Sequence, residues 1–380
     1  MKNKLLTVFD DEEYLTNVIS ALTLDVDEVY YVYHHDVPNE NFVNVDKVLN
    51  RYHEVKTHFF KLEDDVIEIG NIFRAHPNII IDVGGAKYLS LLLFELAKDR
   101  DNKIIYFDDK ENVIKDYRTH NVFVSNTFKL SIEDVFNLRN GEIVEKMHRN
   151  ATDRKTVFVI NTLVENNLEN YTSFVRYITK LNTIISGARR IGGKTYGLTE
   201  KQLKEIVTDN CYRNCQELFE LEDTKLTFTT AKLRQLIGVS GAFLENYLYN
   251  KLTDSRKFDN VEMSAVIDFS NRKYNHPVRC EIDLLAIKDN KLLLISCKSN
   301  KIDTTDLNEI YTQNSLFGNV LSYPVICVCE DADHKYPSIY SKAEEMSVYV
   351  IDKSNMMDES FPEVFSRIIE GTYVYDEITL

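Results

Sequence analysis

Over the first 140 residues, short runs rich in Val, Ile, Leu and Tyr alternate with stretches whose apolar positions recur at helical spacing. LLTVF (5–9), VYYVYH (29–34), VKTHFF (55–60), NIIIDV (78–83) and KIIYF (103–107) read as strands, and 12–22, 42–51, 66–73 and 87–98 as helices. Strands with so little polar alternation belong to a parallel sheet covered on both faces. The βαβα order predicts an α/β, doubly wound, Rossmann-like domain over 1–140. A last helix is expected from Ser131, with Glu133 and Asp134 in its first turn.

From 141 to 238 the pattern reads as a mostly helical connector. TVFVI (156–160) is the exception and reads as a strand. Thr199 and Gln202 form a capping box that starts a helix. The basic, glycine-rich SGARRIGGKTYG (186–197) fails the GxxxxGK[ST] phosphate-loop pattern by one residue, since Ala188 stands where the first glycine belongs. It reads instead as a flexible connector or a basic contact with nucleic acid. After Gly238 the pattern changes again. GAFLENYLYNKL (241–252) is an amphipathic helix; strands follow at 261–269, 278–287 and 291–298, then a helix from Thr304, a strand at 325–329, a helix around Ser341 and a strand at 348–351. The αβββαβ order, with a hairpin turning on Asp289-Asn290, suits an α/β nuclease core over 239–380.

With 380 residues and 44 % hydrophobic content, the chain is long enough for two or three well-packed domains. No apolar run approaches the roughly 20 residues of a membrane crossing, and the N-terminus lacks the form of a signal peptide, so a cytoplasmic protein with no membrane partner is expected. Six cysteines without CxxC spacing read as reduced, buried thiols. The net charge of −15 repels nucleic acid at long range. From Ala231 to Ile310, however, 12 Lys/Arg face 11 Asp/Glu, so contact there is permitted.

The chemistry concentrates in Arg279–Lys298. Glu281 and Asp283, two apart, leave one face of their strand. Lys298 lies at the far end of the partner strand, and Ser296 shares its face. Two acids and a lysine at one end of apolar strands are costly unless they pair or hold a metal. Phosphodiester hydrolysis needs a divalent cation to activate water and stabilise developing charge, and carboxylates suit Mg²⁺ or Mn²⁺. The bland reading is a hairpin with a Glu–Lys ion pair at its rim. His34 and His35, at a strand end, read as rim residues.

This hairpin resembles the PD-(D/E)XK nuclease motif. Asp283 matches its first acid and Lys298 its lysine, while Ser296 stands in the place of the second acid. Glu281, or Glu245 on the preceding helix, is then the candidate for the missing carboxylate. The resemblance implies Asp283, Glu281 and Glu245 as metal ligands and Lys298 as the residue that positions water or phosphate. The helix GAFLENYLYNKL followed by EID…CK is similar to the nuclease domain of CRISPR ancillary nucleases, whose N-terminus is a CRISPR-associated Rossmann-fold (CARF) domain. In the first half, Val83-Gly84-Gly85-Ala86-Lys87 is similar to that family's TGGTK-type loop, with Val83 and Ala86 replacing the threonines. Two glycines opening a helix let backbone amides approach phosphate, and Lys87 adds a cation. The neighbouring loop Phe9, Asp10, Asp11 is expected to flank the same ligand.

The resemblance implies a homodimer whose two N-terminal domains bind one cyclic oligoadenylate, commonly cyclic tetra-adenylate. Two-fold symmetry suits such a ring. Binding would activate a metal-dependent endonuclease acting on DNA, RNA or both in type III CRISPR antiviral defence. The alternatives are a catalytically weakened or inactive ligand-responsive nucleic-acid-binding protein, a ligand-controlled regulator, and a phosphodiesterase acting on the ligand itself.

Overall fold

The computed structural model describes residues 3–9, 14–34, 36–62, 66–85, 87–146, 153–269, 279–316, 321–330, 337–358 and 360–373. The first half is the expected parallel sheet. Strands β1 (Lys4–Val8), β2 (Glu28–Tyr33), β3 (Lys56–Lys61), β4 (Ile80–Asp82) and β5 (Ile104–Asp108) lie in the order β3-β2-β1-β4-β5. An antiparallel pair not anticipated from the pattern, β6 (Val113–Asp116) and β7 (Val122–Ser125), extends the β5 edge. Neighbouring residues of β1 feed opposite cores. Leu5 joins the core under α1 (Leu15–Thr23) and α2 (Asn39–Tyr52), and Leu6 joins the core under α3 (Val66–Ala75) and α4 (Lys87–Ala97). Strand order reverses between β1 and β4, which makes the carboxyl ends of these two strands the place where a ligand would lie. Helix α5 (Ile132–Leu138) starts at Ser131 with a capping box to Asp134.

One expectation for the middle needs correction. The TVFVI run is not a strand but the first turns of α6 (Arg154–Asn167). Asp153 caps it by accepting the Thr156 N–H at 2.9 Å, and the buried residues Thr156, Val159, Ile160, Leu163 and Val164 follow a helical period. Cap and burial outweigh the β-branched residues' preference for strands. The connector is mostly helical and also holds a small sheet. Beside α7 (Tyr171–Ser186) and α8 (Glu200–Val207), capped by Thr199 and Gln202, stands a four-stranded antiparallel sheet. Its strands are β9 (Arg189–Arg190), β10 (Thr195–Gly197), β11 (Phe219–Glu222) and β12 (Lys225–Phe228), in the order β11-β12-β10-β9. These strands are too short to show a period of two.

After α9 (Ala231–Leu236) and α10 (Ala242–Ser255) comes the α/β core of the second half. An antiparallel meander of β13 (Asn260–Asp268), β14 (Arg279–Lys288) and β15 (Lys291–Lys298) is followed by α11 (Thr304–Leu316), β16 (Ser322–Val328), α12 (Pro337–Glu345) and β17 (Tyr349–Ile351). β16 and β17 run parallel to β15. Helices α13 (Lys353–Met357) and α14 (Phe361–Ile369) close the chain's described part. The sheet order is β17-β16-β15-β14-β13-β8, where β8 (Glu142–Lys146) is chain from before the connector, paired to β13. One sheet face (Leu284, Ala286, Leu293, Ile295) packs against α6, α7 and α10. The other (Leu285, Ile287, Leu292, Leu294) shares a continuous core with α1, α2 and α5 of the first half. Among the described residues no helix is long and apolar enough to cross a membrane.

Candidate nuclease site and sensor loop

The turn of the β14–β15 hairpin is Asp289-Asn290, both at positive φ (52° and 67°), as a tight two-residue hairpin turn requires. From there the ladder runs from Lys288–Lys291 to Leu284–Ile295 and stops. Asp283 and Ser296 would be the next pair, but the strands part there. The Asp283 carboxylate sits in the fork. Its Oδ2 accepts the Cys297 backbone N–H at 2.7 Å and the Ser296 hydroxyl at 3.4 Å. Burial pushes the Asp283 carboxyl above its ordinary range; the Cys297 N–H and the Lys298 charge pull it back, while the Glu281 charge adds to the rise.

Lys298 leaves the same fork but its ammonium is held by α11, at 2.9 Å from Asp306 Oδ1 and 3.4 Å from Glu309 Oε2. Desolvation opposes its charge, yet the hydrogen bond and charge of Asp306, with Glu309, leave its pKa raised. Asp306 and Glu309 were not singled out from the sequence. Their one-turn spacing on the helix after the lysine, in TTDLNE, was the available signal. Glu245 lies in the first turn of α10, 5 % exposed; burial pushes the Cys297 thiol well above its ordinary range, and the charges of Asp283 and Glu245 add to the rise. Gly241 caps this helix at φ +78°, and a Cβ there would lie 2.7 Å from Glu245 Oε1. Glu281 is exposed and influences Asp283 through charge alone. The fold therefore gathers Asp283, Ser296 and Lys298 at one fork, buries Glu245 behind it and leaves Glu281 at its rim. Among the described residues no three His, Cys, Asp or Glu side chains form a ready-made metal cluster.

In the first half, Val83, Gly84 and Gly85 follow β4 at the strand-order reversal. Ala86 lies outside the described residues, as do Asp10 and Asp11; Lys87 begins α4. The loop is built on two buried polar residues that pattern reading passed over. Asp82 Oδ1 accepts the Gly84 N–H at 2.9 Å. Asn17 of α1 donates to Thr7 Oγ1 at 2.5 Å, to the Val8 carbonyl at 2.7 Å and to the Gly84 carbonyl at 3.4 Å, tying α1, β1 and the loop together. Gly85 has φ +88°, and a Cβ there would come within 3.3 Å of Asn17. Burial pushes the Asp82 carboxyl up to about 6, despite the Gly84 N–H and the Ser20 hydroxyl beside it. Phe9 corrects an expectation: it is 2 % exposed, stacked on Tyr14 and packed edge-on against Tyr31 and Phe59. Its ring belongs to the core.

Among protein families, residues 233–353 match the model described as "Card1-like, endonuclease domain". Among solved structures, protein VC1899 from Vibrio cholerae superimposes with a TM-score of 0.77 at 14 % identity, over 97 % of this chain and 98 % of that one. Can2 from Sulfobacillus thermosulfidooxidans, solved in complex with cyclic tetra-adenylate (cA4), superimposes with a TM-score of 0.69 at 15 % identity, over 96 % and 99 %. No curated protein matches the chain. At such identities the structural likeness speaks for the fold, and it extends through both halves: a Rossmann-like doubly wound sheet followed by a restriction-endonuclease-like α/β core. The chain thus carries a Card1-like endonuclease domain at residues 233–353 within that two-part architecture.

Proposed function

We propose that this chain is a cyclic oligoadenylate-activated, metal-dependent endonuclease of type III CRISPR antiviral defence, working in the cytoplasm as a homodimer on DNA, RNA or both. The observation that carries the reading is the fork at Asp283, Ser296 and Lys298 inside a Card1-like endonuclease domain. The domains proposed are a sensor over 1–140, a connector over 141–238 and a nuclease over 239–380, with β8 lent to the nuclease sheet. The cA4 bound by Can2 supports a cyclic oligoadenylate, with the tetra-adenylate first, at Val83, Gly84, Gly85, Ala86 and Lys87.

The donor set suits Mg²⁺ or Mn²⁺. Asp283 is a half-buried carboxylate and Glu245 a buried one, and a cation that keeps several waters needs only one or two such ligands. The burial that raises the Asp283 pKa leaves its negative charge short of compensation, which a cation would supply. Such an ion, when bound, provides a Lewis acid and an activated water. The chain's own residues do the rest. The Cys297 N–H and Ser296 fix the Asp283 carboxylate, and Asp306 and Glu309 keep Lys298 charged and aimed along α11, beside the scissile phosphate.

The test is cleavage of supercoiled DNA and labelled RNA with cyclic tetra-adenylate and Mn²⁺ varied independently. Asp283→Asn and Lys298→Ala are each expected to lower the rate at least about a hundredfold. Cleavage that survives Asp283→Asn sinks the site. Ser296 favours one second reading, a ligand-responsive nucleic-acid-binding protein with a weakened nuclease, because a hydroxyl cannot share the metal's charge. Ligand-dependent binding without cleavage at any Mn²⁺ concentration is the result that would select it.

A further inference from the structure

Beside the nuclease fork lies a surface to which cation binding and ligand sensing give no role. Between Asn170 and Thr199 the chain has five Lys or Arg and not one Asp or Glu, although acids outnumber bases 60 to 45 overall. Helix α7 fills most of that stretch. Its apolar face is buried, whereas Thr172, Arg176, Thr179, Lys180 and Thr183, three or four apart, line an open groove of about 570 Å³. Across the groove stand Asn300 and Lys301, two and three residues beyond Lys298, and Glu330, which accepts the Thr172 hydroxyl at 3.4 Å.

Further in, a cavity of about 190 Å³ lies between Phe174 and Asn182 of α7, Ser299, and the turn from Gly238 to Gly241. Gly241 is the residue packed against Glu245, so the cavity adjoins the fork. It is smaller than the roughly 300 Å³ at the low end of small-molecule sites, which fits part of a ligand, such as one base. At its other end α7 leads into the exposed pair Arg189 and Arg190 of β9. Lys180 also bonds the Glu205 carbonyl and Asp209, and Arg190 bonds the carbonyls of Gly192 and Gly193. The side chains of Arg176 and Arg189 make no hydrogen bond or ion pair among the described residues.

We propose that this basic face of α7 is the track along which a nucleic-acid strand reaches the nuclease fork. Its phosphates ride on Arg176 and Lys180 of α7, and the nucleotide beside the scissile bond enters the inner cavity. Phosphate contacts of this kind position a strand without reading its sequence, and the phosphodiester backbone is common to DNA and RNA. The destination of the track rests on the nuclease reading; its existence is decided by binding alone.

The experiment measures anisotropy of labelled single-stranded DNA and RNA oligonucleotides on the full chain carrying Asp283→Asn, across a salt series, with cyclic tetra-adenylate present. Arg176→Glu is expected to weaken binding about tenfold and to lower the slope of log affinity against log salt by about one. Arg189→Glu should behave likewise, Arg176→Lys should keep most of the affinity, and Lys56→Glu, exposed in the N-terminal sheet, should change nothing. A loss confined to one of the two probes also supports the track and names its strand. Unchanged affinity and slope in Arg176→Glu, or an equal loss in Lys56→Glu, overturns it. Failure of the nuclease reading shows separately, as a wild-type chain that holds the probes through Arg176 and leaves them intact.

Discussion

Asp82 is a fully buried carboxylate placed under the loop proposed to receive phosphates, and its pKa of about 6 has consequences for stability and for binding. Its folded pKa lies above the roughly 3.9 of an unfolded chain. The stability it contributes is therefore complete below that lower value and is lost as pH rises through about 6. A rise of that size is worth about 3 kcal/mol. Asp82→Asn keeps an acceptor for the Gly84 N–H and removes the titration. The variant should melt close to wild type at pH 4 and progressively above it towards pH 8, a difference that thermal unfolding at several pH values would read. A constant difference would mean that folding leaves the Asp82 pKa where the unfolded chain has it. The sign also bears on the ligand: phosphate oxygens at Gly84 and Gly85 disfavour the Asp82 anion, so binding takes up a proton and tightens as pH falls towards 6.

At the scale of elements, the start of α10 is where backbone geometry and chemistry meet. Gly241 combines φ +78° with a Cβ position 2.7 Å from Glu245 Oε1. Gly241→Ala should cost about 1–3 kcal/mol, visible as a lower denaturant midpoint, and should reduce cleavage further still by displacing Glu245. Gly70→Ala, in α3 with nothing within 4 Å, should instead stabilise by about 0.5–1 kcal/mol. Equal effects of the two would remove the special role given to Gly241. Elements of this molecule were legible in proportion to their length and period. The long parallel strands, the capping boxes at Ser131 and Thr199, and the Asp289-Asn290 hairpin all announced themselves. The two-residue β9 and three-residue β10 carry no period, and β8 finds its partner β13 more than a hundred residues away. The candidate site was legible as a motif at Asp283 and Lys298. Asp306 and Glu309 beside it, and Asn17 under the glycine loop, were not, because a charged pair on one helix or a single buried amide looks like any polar position until the fold brings its partner.

At the scale of the whole molecule, the N-terminal sheet and the Card1-like endonuclease domain meet at Asn290. This residue is 1 % exposed at the tip of the hairpin whose other end carries Asp283 and Lys298. Its Oδ1 accepts the Leu130 N–H at 2.7 Å and its Nδ2 donates to the Phe128 carbonyl at 2.9 Å, both from the segment that leads into α5. Around this contact the two halves share one apolar core through α5 and the nuclease sheet. A ligand can shift a distant site only through contacts that differ between two states; on the proposed function, the hairpin gripped at its turn is the route by which a shift of the first half would reach the fork. Asn290→Gly deletes both side-chain hydrogen bonds while tolerating the positive φ of 67°, so turn strain is not confounded with lost coupling. The full chain should then keep its affinity for oligonucleotide and its basal cleavage. The stimulation by cyclic tetra-adenylate should fall by roughly 5-fold or more, the low end of a coupling free energy between sites. Asn290→Asp, which still accepts the Leu130 N–H but cannot donate to Phe128, should lie between. Reciprocity requires that substrate tighten ligand binding less in Asn290→Gly than in wild type, measurable by calorimetry with uncut substrate on Asp283→Asn backgrounds. Full stimulation in Asn290→Gly would place the coupling elsewhere in the shared core, with the hairpin turn reduced to a structural clasp.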